Sequence, residues 1–149
     1  MLRASEHLEF DLTDGWIAAG QPSLERLREV IAAGARIISL RTTEESHPYD
    51  QDAVVAQLGG AMRRVPTRGS DLASSDAREA LYQMLDEELG RGGQVYFHCG
   101  TSNRIGALWA LYHAECKGVD PGQALDLGRQ AGMTRLEAVV REVLGLAVH

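Results

Sequence analysis

The chain has 149 residues, 44% hydrophobic and 24% charged, which suits one globular domain whose core needs neither disulfides nor a structural metal. Lys plus Arg number 15 against 21 Asp plus Glu, a net charge of −6, which argues against nucleic acid or an anionic membrane surface as the main partner. Residues 1–9 carry Arg3, Glu6 and Glu9 without an apolar stretch, and no apolar run is long enough to span a bilayer. Neither a signal peptide nor a transmembrane helix is therefore expected, and a reducing cytoplasm is the default compartment.

In chain order, Trp16-Ile17-Ala18-Ala19 reads as a strand stopped by Gly20-Gln21-Pro22. Ser23 opens a helix with Leu24, Leu27, Val30 and Ile31 at helical spacing, and Gly34 ends it. The β-branched run 36–40 predicts a buried strand. A polar loop over 42–50 precedes a helix over 52–58, a strand over 61–65 and a second polar loop over 67–75. A longer helix is expected over 76–89, with Ala80, Leu81, Met84, Leu85 and Leu89 in one stripe. Gln94-Val95-Tyr96-Phe97-His98 is a strand ending at Cys99, and an apolar helix follows over 105–116. Asp120-Pro121-Gly122-Gln123 is a strong helix start, and Thr134-Arg135-Leu136-Glu137 reads as a capping box opening a last helix. The alternation implies an α/β fold: a central, mostly parallel sheet of four to five strands flanked by helices, in one domain over 1–149. Ligands in such sheets bind at the carboxyl ends of the strands, where Cys99 lies.

The segment His98-Cys99-Gly100-Thr101-Ser102-Asn103-Arg104-Ile105-Gly106 carries most of the chemistry. Backbone N–H groups of a short strand-to-helix loop converge on an anion, and the helix N-terminus adds partial positive charge. Arg104 supplies a forked guanidinium. That field lowers the pKa of a thiol lying within it, and a thiolate beneath an oxyanion cradle is a nucleophile aimed at phosphorus or sulfur. Gly100, Thr101, Ser102 and Asn103 are the expected cradle, with Thr101 or Ser102 hydrogen-bonding the sulfur. Arg41 follows a strand on the same edge; it either contacts substrate or pairs with Glu44 or Glu45. His98 points to the face opposite Cys99 and orders the loop. Trp16 and Gln21 are candidates for the far wall. Cys116 lies on an apolar helix and reads as structural. No metal and no cofactor are expected; the partner is a phosphorylated or other oxyanion substrate, and the sequence is silent on assembly.

The Cys99 segment resembles the signature loop of cysteine-dependent protein tyrosine and dual-specificity phosphatases, His-Cys, five residues, then Arg. Here only four residues separate Cys99 from Arg104, and Ile105 replaces the usual hydroxyl residue. A closer resemblance is to the bacterial phosphatase-like domain of β-lactamase-hydrolase-like proteins, through Gly20-Gln21-Pro22, Leu40-Arg41, His98-Cys99, Asn103-Arg104 and Gly106-Ala107-Leu108-Trp109. Ser102 stands where that pattern has Gly. The resemblance implies a dual-specificity-phosphatase-like fold. It also implies phosphoester hydrolysis through a phosphocysteine, of a phosphotyrosine-like or small-molecule substrate, with Cys99 as nucleophile and Arg104 holding the phosphoryl oxygens. An Asp on a neighbouring loop then serves as acid. Asp71 is the candidate, and Asp76 reads instead as helix-start charge. Two other readings stand beside it. The shorter loop also resembles that of rhodanese-type sulfurtransferases, which would carry a persulfide on Cys99. The departures at Ser102 and Ile105 fit a module that binds oxyanions without turnover.

Overall fold

The computed structural model describes residues 2–147. Five strands form one sheet: β1 (Glu9–Thr13), β2 (Trp16–Ala19), β3 (Arg36–Ser39), β4 (Met62–Arg64) and β5 (Val95–His98). Their order is β1-β2-β5-β3-β4; β1 is antiparallel to β2 and the remaining pairs are parallel. β1 is an addition to the strands expected from sequence. Its signal was present: Phe10 and Leu12 alternate with Glu9 and Asp11, and Asp14-Gly15 makes the turn, with Gly15 at φ +77°.

The helices among the described residues are α1 (Leu24–Ala32), α2 (Gln51–Gln57), α3 (Ser75–Arg91), α4 (Asn103–Cys116), α5 (Pro121–Gln130) and α6 (Glu137–Val143), the last two packed on α4. Ser23, Asp50, Ser74 and Asp120 cap four of them by accepting backbone N–H bonds. The expected capping box at Thr134 does not form. Helix α6 begins at Glu137 without a side-chain cap, because Asn103 Oδ1 takes the N–H groups of Thr134 (2.7 Å) and Leu136 (3.3 Å). The second polar loop contains a 3₁₀ turn over Gly69–Ala73.

Strand alternation sorts the core into two layers. Ile17, Ala19, Ile37 and Tyr96 face α1 and α2. Trp16, Ala18, Ile38 and Phe97 face the larger cluster built with α3, α4 and α5. Within it α4 and α5 approach closely: a Cβ on Gly106 would lie 2.4 Å from Met133 N and 2.5 Å from Gly128 O. That contact seats α4 and the loop leading into it. Both cysteines are free, Cys99 buried and Cys116 exposed. No helix among the described residues is long and apolar enough to cross a membrane.

Candidate active site

Cys99 leaves the carboxyl end of the central strand β5, 1% exposed, its N–H donating to Ala19 O at 3.1 Å. The loop beyond it is shaped mainly by backbone. The Gly100 carbonyl turns outward to accept from Gln21 N at 2.9 Å, and Gly20 packs so closely that a Cβ there would sit 2.8 Å from Gly100 O. No peptide among the described residues is cis, so the Thr101 N–H points opposite to that carbonyl, away from Gln21. Ser102 is buried at φ +71°, a conformation glycine adopts at less cost. Its hydroxyl donates to Ala131 O at 2.7 Å, so it faces α5 and not the sulfur. Asn103, expected to bind substrate, commits its side-chain oxygen to the α5–α6 connection and presents only its backbone N–H at the helix start.

Among the described residues, the N–H groups of Gly100, Thr101, Asn103, Arg104 and Ile105 donate to no protein acceptor. Those of Asn103, Arg104 and Ile105 are the unpaired donors of a helix N-terminus and carry its positive end. Ile105 itself is buried core. Thr101 is exposed.

Arg104 reaches back over this loop. Its Nη1 donates to Glu45 Oε2 at 2.8 Å and to the Thr67 carbonyl at 2.9 Å, and its Nη2 donates to Glu45 Oε1 at 2.6 Å. A guanidinium carries five N–H donors in a rigid plane. Three are spent here, which leaves the Nε–H and one Nη2–H side by side on the remaining edge. Glu45 and, after it, the neighbouring Cys99 sulfur hold the guanidinium above its ordinary range against the opposing effect of burial. Arg104 in turn, with Thr42 N–H and Arg41, holds the Glu45 carboxyl far below the usual carboxylate range, again against burial. Glu45 is therefore ionised at neutral pH and has no proton to give.

Arg41 serves this arrangement from behind. It is 8% exposed, and its guanidinium donates to Glu45 Oε1 (3.3 Å), Gln21 Oε1 (2.8 Å) and Ser46 O (2.6 Å). Of its two expected roles, contact with substrate and pairing with Glu44 or Glu45, the structure has the pairing with Glu45. Glu44 pairs with Arg68 at the surface. Gln21 continues the chain to Gln51 Oε1 (3.0 Å), and the Gln51 amide donates to His98 Nε2 (2.9 Å). The remaining ring nitrogen, Nδ1–H, donates to the Cys99 carbonyl at 3.2 Å. Burial pulls the His98 pKa down to about 4, so the ring is neutral. It orders the loop from the face opposite the sulfur.

Asp71 lies in the 3₁₀ turn, half-buried, its Oδ2 accepting from Arg68 N at 2.8 Å. The loop residues Gly100, Thr101, Asn103 and Arg104 bound one side of an open cavity of about 480 Å³. Glu45, Gly69, Arg135 and Leu136 complete its lining. Asp71 belongs to the loop that reaches this cavity at Gly69 and does not itself line it. Trp16 is buried in the core and takes no part. Four contributors lay outside the sequence reading: Gln51, the Thr67 carbonyl, Glu45 as partner of Arg104, and Arg135. All are distant in sequence from Cys99; the polar loops around Pro48 and Pro66 hold Glu45 and Thr67, and nothing local marks Gln51 or Arg135.

No family model and no curated protein matches the chain. Solved structures do. TpbA of P. aeruginosa in complex with pTyr is 18% identical over 98% of this chain and 90% of its own, with a TM-score of 0.73. Tk-PTP in its active form is 19% identical over 92% and 93%, with a TM-score of 0.69. PTPMT1 in complex with PI(5)P is 15% identical over 93% and 97%, with a TM-score of 0.63. The chain thus has the mixed α/β fold, with a mostly parallel five-stranded sheet flanked by helices, that these PTP-like phosphatases share.

Proposed function

We propose that the chain is a cysteine-dependent phosphatase that hydrolyses a phosphoester through a phosphocysteine. One observation carries this reading: Gly100, Thr101, Asn103 and Arg104, whose N–H groups find no protein acceptor, line one cavity together, and Cys99 lies buried directly behind them at the start of that loop, outside the lining itself. Cys99 Sγ attacks phosphorus and forms the S–P bond as the ester P–O bond breaks. The leaving oxygen takes a proton from Asp71. Water, deprotonated by the Asp71 carboxylate, then attacks phosphorus, the S–P bond breaks, phosphate departs and the thiolate returns. Charge on the equatorial oxygens is met by donors already in place, which is where preorganised sites gain most. Glu45 and Arg41 are positioning residues that fix the guanidinium plane.

A second reading, oxyanion binding without turnover, is favoured by one observation: Asp71 caps its own turn and does not line the cavity. Hydrolysis of para-nitrophenyl phosphate and of an alkyl phosphate by wild type, Cys99→Ser and Asp71→Asn separates the two. The phosphatase reading expects Cys99→Ser to abolish turnover. It expects Asp71→Asn to lose about 10²- to 10⁴-fold on the alkyl ester and less on the aryl ester, whose oxygen leaves without help. Equal rates for wild type and Cys99→Ser overturn it, and orthovanadate binding with no turnover of either ester supports the second reading.

A further inference from the structure

We infer that Arg135 is a second anion-binding group of this cavity, and that the substrate is a small aliphatic phosphoester carrying another phosphate or carboxylate. The inference rests on the phosphatase reading for its chemistry and on the cavity alone for its recognition.

Eleven of the fourteen arginines are in ion pairs. Among the described residues Arg3, Arg28 and Arg135 are not, and of these only Arg135 lines the cavity that Arg104 lines. The acidic residue nearest to it in sequence, Glu137, is already bound by Arg129 at 2.7 Å and by Arg141 at 3.0 Å. In a protein of net charge −6, an exposed arginine without a carboxylate on the wall of this cavity is a cation open to a ligand.

Its backbone is fixed relative to the cradle. The residues on either side of it, Thr134 and Leu136, both give their N–H to Asn103 Oδ1, and Asn103 is the first residue of α4. One side-chain oxygen thereby joins the loop that would hold the reacting phosphoryl group to the loop that carries the second cation. The backbone positions from which the two guanidinium groups project are set before a ligand arrives, and the exposed Arg135 side chain is the part left to adjust.

The remainder of the lining bears on the body of the substrate. Leu136 is its one apolar side chain, no aromatic residue is among the lining, and its one carboxylate, Glu45, is committed to Arg104 and Arg41. An aryl phosphate finds no ring to stack upon. A cavity of about 480 Å³ matches a small ligand. Polar walls with two guanidinium groups suit a compact polyanion.

The test compares 2,3-bisphosphoglycerate, glycerol 3-phosphate, a phosphotyrosine peptide and para-nitrophenyl phosphate as substrates of wild type, Arg135→Ala and Arg135→Lys. Wild type is expected to favour the bisphosphate over glycerol 3-phosphate in kcat/KM by about tenfold or more, as a charge-assisted contact supplies. Arg135→Ala should bring that ratio close to one, chiefly through KM, and Arg135→Lys should restore part of it. A ratio untouched by Arg135→Ala, or a wild-type preference for the phosphotyrosine peptide, overturns the inference. Binding of pyrophosphate and orthophosphate to the same proteins by calorimetry tests recognition apart from turnover. If no ester is hydrolysed yet Arg135→Ala erases a preference for pyrophosphate, the inference stands and the phosphatase reading falls. If para-nitrophenyl phosphate is hydrolysed without any bisphosphate or pyrophosphate preference, the reverse holds.

Discussion

The two walls of the site are built by different means. The wall formed by residues 99–106 is held by backbone: Ala19 O and Gln21 N fix its start, the Ser102 hydroxyl anchors its middle on Ala131 O, and Gly106 locks its end against Gly128 and Met133. The opposite wall, from the loops after β3 and β4, is held by charged side chains, with Glu45 between Arg41 and Arg104 and the Thr67 carbonyl beside them. A wall made of close backbone contacts fails by steric conflict. A wall made of an ion-pair network fails by loss of charge, and acid reaches it.

The largest effect expected on the first wall is from Gly106→Ala. The new methyl would meet Met133 N at 2.4 Å and Gly128 O at 2.5 Å, backbone atoms that cannot rotate aside. A loss of about 3 kcal/mol in denaturant unfolding is expected, at the upper end of overpacking costs. A loss under about 0.5 kcal/mol, the range of ordinary surface substitutions, would show that α4 and α5 are not seated by this contact.

The second wall is tested by Glu45→Gln, which keeps shape and removes charge. Aryl phosphate turnover is expected to fall about 10- to 100-fold as the guanidinium plane loosens, with a loss of thermal stability at neutral pH that narrows as the pH is lowered. The acid side gives the sharper reading. Glu45 has a folded pKa below its ordinary value of 4.5. Its stabilising contribution is thus complete above that value and lost as pH falls from it toward the folded one. Below about pH 4.5, Glu45→Gln should therefore lose stability less steeply than wild type, as measured by unfolding at stepped pH. Parallel curves would mean that the network carries no linkage.

The smallest effect separates strain from hydrogen bonding at Ser102. Ser102→Ala keeps the positive φ and loses the bond to Ala131 O, at a cost of about 1 kcal/mol. Ser102→Gly loses the same bond and relieves the backbone, which returns about 0.5–1 kcal/mol. The glycine variant should thus be the more stable of the two; the opposite order would mean that the side chain's packing against Gly132 outweighs the conformational cost.

The same division explains what could be read from sequence. The backbone-built wall is contiguous, so strand, loop, Arg104 and Gly106 stood together and their chemistry was legible in one segment. The parallel core was legible as well, because its strands are short apolar runs between helices. The side-chain wall was not. Nothing local selects Glu45 over Glu44, or shows that Arg41 turns inward, since tertiary packing makes those choices. At Thr134 the local pattern misled: the capping motif is present, but Asn103, 31 residues earlier, takes its amide. β1 differs again: its signal is local, the alternation of Phe10 and Leu12 with Glu9 and Asp11 ahead of the Asp14-Gly15 turn, but it is weak because both faces of the strand are at most half-buried.

The hydrogen bonds from His98 to Gln51, Gln21, Arg41, Glu45 and Arg104 return to the main chain six residues beyond their start and so form a closed circuit. Its covalent arc is the Cys99 segment itself. A displacement on either arc is felt on the other, so the nucleophile's carbonyl and the guanidinium move as one frame. Lengthening the 42–50 segment by a single residue would shift the sulfur without altering any atom that touches it.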